Sequence, residues 1–238
     1  MWPIQHQGLE PVRLDFSSSG QGHADDIQWV ADGLVLSNAV ERAQPKDDPF
    51  QAIVCDYCGY PGCGGGSYAT LRRFGKVVLL IPAYEKMEEG DWEMGEFWPP
   101  WYIQKHGVPV IDREKYEKLV CSDHFPQIDE IEPLKLGELA GIICLEAPSE
   151  VLGRLDKKAK LEKKIVLAVS EPFAENEVDV FNEVLGGARG DFSTLARIPP
   201  SQPQVEFHLD LPGFPAWSPM SYEDGKPLLR VDAGQIAS

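Results

Sequence analysis

The feature that most narrows what this chain can fold into is a pair of apolar runs parted by one glycine. Tyr68-Ala69-Thr70-Leu71-Arg72-Arg73-Phe74 and Lys76 to Ile81 lie on either side of Gly75. Glycine adopts the positive φ that a tight turn demands, so the two runs read as a β-hairpin. The second run contains Val77-Val78-Leu79-Leu80-Ile81 without a polar residue. A strand with no alternation has no solvent face, which predicts a central strand covered on both sides.

The rest of the chain supplies neighbours for that strand. Val12-Arg13-Leu14-Asp15-Phe16 alternates apolar and polar, the pattern of a half-buried strand, and Ser17 to His23 reads as a Ser/Gly loop. Ile27 to Val30 and Leu34 to Leu36 flank Asp32-Gly33, a strong hairpin signal. Asp112 is placed to cap a short helix through Val120, with Tyr116 and Leu119 on its apolar side. Leu134 to Leu145 fits either a helix or a buried strand. Ser149 opens an amphipathic helix with a lysine-rich end, and Glu175 to Leu185 forms another, stopped by Gly186-Gly187. Ile165 to Val169 and Val205 to Leu209 read as strands, Leu211 to Pro219 as irregular, and Leu228 to Val231 as a last short strand. Strands come early and helices interleave later. That order predicts an α+β fold, a mostly antiparallel sheet over residues 12 to 81, extended near 165 and 205, with two or three packed helices. Residues 1–238 read as one domain, with the weakest continuity near 99–110.

Between the first strands and the hairpin lies Cys55-Asp56-Tyr57-Cys58-Gly59-Tyr60-Pro61-Gly62-Cys63-Gly64, a knuckle holding three of the five cysteines. A C-x-x-C turn sets two sulfurs on one side of a tight loop, and the glycines free backbone N–H groups to point at them. Zinc knuckles use this arrangement and need four ligands in a tetrahedron. The metal candidates are therefore Cys55, Cys58 and Cys63, with Cys121 and His124 as the natural fourth ligand at C-x2-H spacing. Cys144, His23 and His208 are weaker suppliers. The cofactor expected is zinc. The competing readings are metal-free buried cysteines in a glycine-rich turn, a redox thiol pair and an iron–sulfur cluster.

The knuckle resembles a motif of uncharacterised bacterial proteins that carry C-x-x-C-G-x-x-G-C-G between β strands. The resemblance runs from Ile53 to Ile81. It implies strands on both sides of the knuckle and carries no activity with it.

Charge restricts the partners. The chain has 22 basic and 38 acidic residues, a formal net charge of -16. Phosphate binding needs Lys and Arg on the binding face, so no nucleic-acid or anionic-membrane role is expected. A basic protein partner fits. Glu88, Glu89, Asp91, Trp92, Glu93, Glu96, Trp98 and Trp101 form an acidic stretch rich in aromatics, and aromatics concentrate in binding hot spots. The plainer reading is a long loop pinned by its tryptophans. Met1-Trp2-Pro3-Ile4-Gln5 has neither a basic n-region nor an apolar h-region. An odd cysteine count fits thiols kept reduced or metal-bound, which points to the cytoplasm.

No H-E-x-x-H pair, G-x-S-x-G elbow or Walker lysine is present. The function expected is a non-enzymatic interaction protein, such as an immunity or antitoxin-like protein that masks a basic partner. The alternative is a zinc- or thiol-dependent enzyme centred on Cys55, Cys58 and Cys63.

Overall fold

The computed structural model describes residues 2–20, 22–63, 66–83, 98–135, 137–139 and 141–142, together with the backbone of six strands beyond them. In chain order the elements are β1 (Trp2–Pro3), β2 (Gln7–Phe16), β3 (Gly22–Ala31), β4 (Leu34–Ser37), α1 (Val40–Ala43), β5 (Phe50–Gln51), β6 (Tyr68–Phe74), β7 (Val77–Pro82), α2 (Trp101–His106), β8 (Pro109–Asp112), α3 (Arg113–Leu119), β9 (Ile165–Val169), β10 (Leu195–Arg197), β11 (Leu209–Leu211), β12 (Phe214–Trp217), β13 (Ser221–Glu223) and β14 (Lys226–Val231). The fold is α+β. The chain divides into two compact units, one of Trp2–Arg73 with Val78–Glu132 and one of Phe74–Val77 with Pro133–Ser238.

In the first unit, β2 and β3 pair antiparallel over their full lengths, from Gln7 opposite Ala31 to Phe16 opposite Gly22. The Ser17 to His23 loop is thus shorter than its composition suggests. Ser17–Ser19 make one 3-10 turn, and Gly20 reverses the chain at φ 82°. Long hydrogen-bonded strands win over the local turn preference of Ser and Gly because each added pair satisfies backbone groups. At the other end, Asp32 and Gly33 both take positive φ, 47° and 80°, as a two-residue hairpin requires. The Asp32 carboxylate also accepts from the backbone N–H groups of His6 at 2.8 Å and Gln5 at 3.0 Å, tying the turn to the β1–β2 link.

The second sheet of this unit has the order β1-β8-β7-β6-β5. β7 stands in its middle, and all six of its residues are buried, as the unbroken apolar run requires. Its outer strand β1 runs parallel to β8, a pairing that only the return of the chain after residue 100 makes available. Asp112 ends β8 and caps α3, its carboxylate accepting from Glu114 N–H at 2.8 Å. Tyr116 and Leu119 face inward. Trp29, fully buried, meets Phe125 edge-on at 5.1 Å, and the Tyr102 hydroxyl donates to the Leu36 carbonyl at 2.8 Å. Burial pushes the Tyr102 phenol far above its ordinary range.

Beneath α1, Asp26 is buried with its carboxylate accepting from Ile27 N–H at 2.7 Å and Glu41 N–H at 3.0 Å. The Arg42 guanidinium lies 3.2 Å from the same carboxylate. A buried charge persists only with such a set of partners.

In the second unit, β9 lies where its apolar run places it, and β14 matches the last expected strand. These strands form their own sheet, ordered β10-β9-β14-β13, with β9 parallel to both β10 and β14. Parallel neighbours need long connections between them, which sequence periodicity cannot foretell. Phe214–Trp217, expected to be irregular, is a strand paired with β11. Among the described residues this sheet has two strands, and proline is accepted on a strand with one paired side. In the Leu134 to Leu145 stretch, 137–139 and 141–142 are helical. The helices expected from Ser149 and over Glu175 to Leu185, and most of the strand expected over Val205 to Leu209, lie outside the described residues. No helix among the described residues is long and apolar enough to cross a membrane.

The Asp112 cap is a local interaction with one donor, so its removal reads out cleanly. Asp112→Ala should lower stability by about 1 kcal/mol in urea unfolding. An unchanged midpoint would mean that another group replaces the cap.

Candidate metal centre

The knuckle begins where β5 ends. Ala52 and Val54 are buried and deliver the chain to Cys55 at the protein surface. Val54 has no strand partner there. The Asn38 side chain takes that role, donating through Nδ2 to the Val54 carbonyl at 3.0 Å and accepting Val54 N–H at 2.9 Å. Gly59 N–H then donates to the Cys55 carbonyl at 2.7 Å, closing the C-x-x-C turn.

Gly59 is required twice over. Its φ is +69°, and a Cβ there would stand 2.4 Å from Cζ of Phe16. The ring of Phe16, at the end of β2, therefore presses directly on the knuckle backbone. The hydroxyl of Tyr57 donates to the Ser18 carbonyl at 2.8 Å, a second tie to the same hairpin end. Gln51 holds the far side of the loop. This buried amide accepts Gly62 N–H at 2.6 Å and donates to the Gly66 carbonyl at 3.1 Å.

These ties bring the three sulfurs of Cys55, Cys58 and Cys63 to within 4.8 Å of one another, close enough to hold a metal ion. Tetrahedral zinc thiolates, with Zn–S near 2.3 Å, have sulfurs about 3.8 Å apart, so only a small contraction would close the set. Cys58 is buried, Cys55 partly so, and Cys63 is exposed. The backbone N–H groups of Cys58 and then Tyr57 point at the Cys55 sulfur and hold its thiol below the ordinary range. Hydrogen bonds to the sulfurs of Cys58 and Cys55 push Cys63 up to about 11. Cys55 and Cys63 are thus pushed in opposite directions. A cation bound among them would relieve the crowding of three thiolates, releasing their protons.

Among the described residues this is the one group of three or more His, Cys, Asp or Glu side chains set closely enough for a metal, and it contains neither Cys121 nor His124. Cys121 is exposed just beyond α3, its sulfur 4.0 Å from the Glu117 carbonyl. His124 offers its backbone carbonyl to Lys46 N–H at 3.1 Å. His23 lies in β3 with Nδ1 3.4 Å from Asp15 Oδ1. Cys144 and His208 lie outside the described residues, as do Glu88, Glu89, Asp91, Trp92, Glu93 and Glu96. Trp98 and Trp101 are described and exposed, at 53% and 49%. Sequence reasoning missed Gln51, Asn38 and Phe16. Their partners are distant in the chain, and no local signal marks a positioning amide. No family model, curated protein or solved structure matches this chain.

Gly59→Ala combines a left-handed backbone with a clash against an aromatic ring, and should cost about 2–4 kcal/mol. Gln51→Leu leaves a loop N–H and a loop carbonyl without their amide partner, for about 1–3 kcal/mol. Chemical denaturation of both variants would test this, and a neutral Gly59→Ala would show that the ring does not press on the knuckle.

Proposed function

We propose that this protein is a non-enzymatic binding protein of the immunity or antitoxin kind, with a zinc-closed knuckle and an acidic surface that masks a basic protein partner. The convergence of three cysteine sulfurs on one point carries the zinc reading. Cys55, Cys58 and Cys63 would hold the ion, and soft thiolates favour zinc over the hard cations. Bound there, zinc would crosslink the knuckle, which is what all-thiolate sites supply in general. The partner reading is supported by the charge of -16 and by large aromatic side chains exposed to solvent. Masking of a basic protein needs charge complementarity, which speeds encounter and weakens with salt.

A zinc- or thiol-dependent enzyme is the second reading. It is favoured by one observation: among the described residues the cluster offers three ligands and no fourth. Catalytic zinc keeps a position open for water or substrate. The two readings part at Cys63→Ser. A structural zinc loses its staple and the fold weakens, whereas a catalytic one loses activity with the fold intact.

Elemental mass spectrometry on protein purified without chelator should find about one zinc per chain, lost in Cys63→Ser. Chelation should lower the melting temperature, since an ion present at about a thousandfold its Kd stabilises by roughly 4 kcal/mol. Metal-free protein with thiols that titrate at once would discard the zinc reading.

A further inference from the structure

The three knuckle sulfurs differ in how far solvent reaches them. Cys63 is exposed, Cys55 is half-buried and Cys58 is only 8% exposed, and all three are free thiols. They differ also in how firmly the backbone holds them. Cys58 precedes Gly59, where a Cβ would strike the Phe16 ring. Cys55 follows the buried Val54, whose N–H and carbonyl are both bonded to Asn38, and the Cys55 carbonyl accepts Gly59 N–H at 2.7 Å. Cys63 donates its N–H to the Tyr60 carbonyl over a longer 3.3 Å, and it follows Gly62 at φ +77°.

Two accessible sulfurs and one shielded sulfur therefore lie within 4.8 Å of one another. A disulfide sets its sulfurs about 2 Å apart, so bond formation asks for a closure of about 3 Å at most. Cys63, the less firmly held of the three, makes that movement. The ties at Asn38, Gln51 and Phe16 pass through no sulfur, so the loop keeps its frame while the bond forms.

We infer that the knuckle is a site of reversible thiol oxidation, in which hydrogen peroxide joins Cys55 to Cys63 and leaves the shielded Cys58 reduced. Peroxide first oxidises one accessible thiolate to a sulfenic acid. An S–O bond forms, the O–O bond breaks and hydroxide leaves. The other accessible thiolate then attacks that sulfur. The S–S bond forms, the S–O bond breaks and a second hydroxide leaves. Each sulfur has lost one electron, and the peroxide has gained two. An ion held by the three sulfurs would keep one protein ligand and be released. A dithiol reductant reverses the change by exchange, entering at the exposed Cys63. This oxidation regulates the metal site proposed above. It rests on the zinc reading for the release of the ion and not for the bond.

The test uses the full chain, purified reduced and without chelator. The protein is treated with hydrogen peroxide at neutral pH, alkylated with iodoacetamide and digested unreduced with chymotrypsin, which cuts after Tyr57 and so parts Cys55 from Cys58. Tandem mass spectrometry locates the crosslink and the alkyl group. A chromogenic indicator follows zinc, and circular dichroism follows the fold. The expected result is a Cys55–Cys63 crosslink, alkylated Cys58, an unchanged dichroism spectrum and about one zinc released per chain in step with the bond. Dithiothreitol with added zinc should restore the starting state. Cys55→Ser should lose the crosslink and send Cys63 on to sulfinic acid. A crosslink through Cys58, sulfinic acid at Cys63 in the wild type, or a bond that forms only after the dichroism signal collapses would overturn the inference. The wild-type map decides this even if the variant fails to fold. A metal-free wild type that still joins Cys55 to Cys63 would refute the zinc reading and leave the oxidation site standing. Zinc-loaded protein that never forms the bond would do the reverse.

Discussion

The contact of the Phe16 ring with the Cα of Gly59 is what the first unit's candidate site depends on. It joins the end of a long hairpin to a loop that is also held by hydrogen bonds and by the buried Val54 and Cys58. The ring is not free to move away. On its face the Arg42 guanidinium sits 5.3 Å from the centroid, and Arg42 is in turn held 3.2 Å from the buried carboxylate of Asp26. Asp26 also accepts two backbone N–H groups, one of them from the start of α1. The chain of contacts therefore runs from a buried ion pair, through an aromatic ring, to the backbone between Cys58 and Cys63. A larger residue at 59 would disturb all of it, because packed interiors have little room to yield.

Hydrogen bonds decide how much of the knuckle is set before any ion binds. Asn38 and Gln51 hold the loop at Val54, Gly62 and Gly66 through side-chain amides. Each bond is modest in net energy, near 1 kcal/mol, but leaving a buried amide unpaired costs more than that. The loop is thus held where it is because departing from this geometry strands polar groups. An ion arriving at three sulfurs already within 4.8 Å has little ordering left to impose. The same loop presents Tyr57 and Tyr60 to solvent, so the cysteine cluster and two exposed rings share one scaffold.

Local chemistry was readable from the chain, and long-range pairing was not. The Asp32-Gly33 turn, the Asp112 cap and the buried run at Val77 each depend on residues a few positions apart. Each appears in the structure close to where the residues place it. The C-x-x-C turn with its neighbouring glycines likewise brings Cys55, Cys58 and Cys63 together. The choice of Cys121 and His124 as further ligands followed spacing alone, and the cluster gathers without them. Spacing cannot tell which loops meet, because that depends on how distant strands pair.

By itself, then, the sequence determined the α+β class, the turns, the helix cap and the three-cysteine knuckle, because short-range sterics and hydrogen bonding dictate them. Tertiary structure alone decided that β1 pairs with β8, that β9 joins β14 and β10 in a sheet of its own, and that Phe16, Asn38 and Gln51 converge on the knuckle. The reason is physical. A side-chain amide or an aromatic ring meets its partner only after chain segments far apart in sequence have collapsed onto a common core, and no periodicity records that meeting.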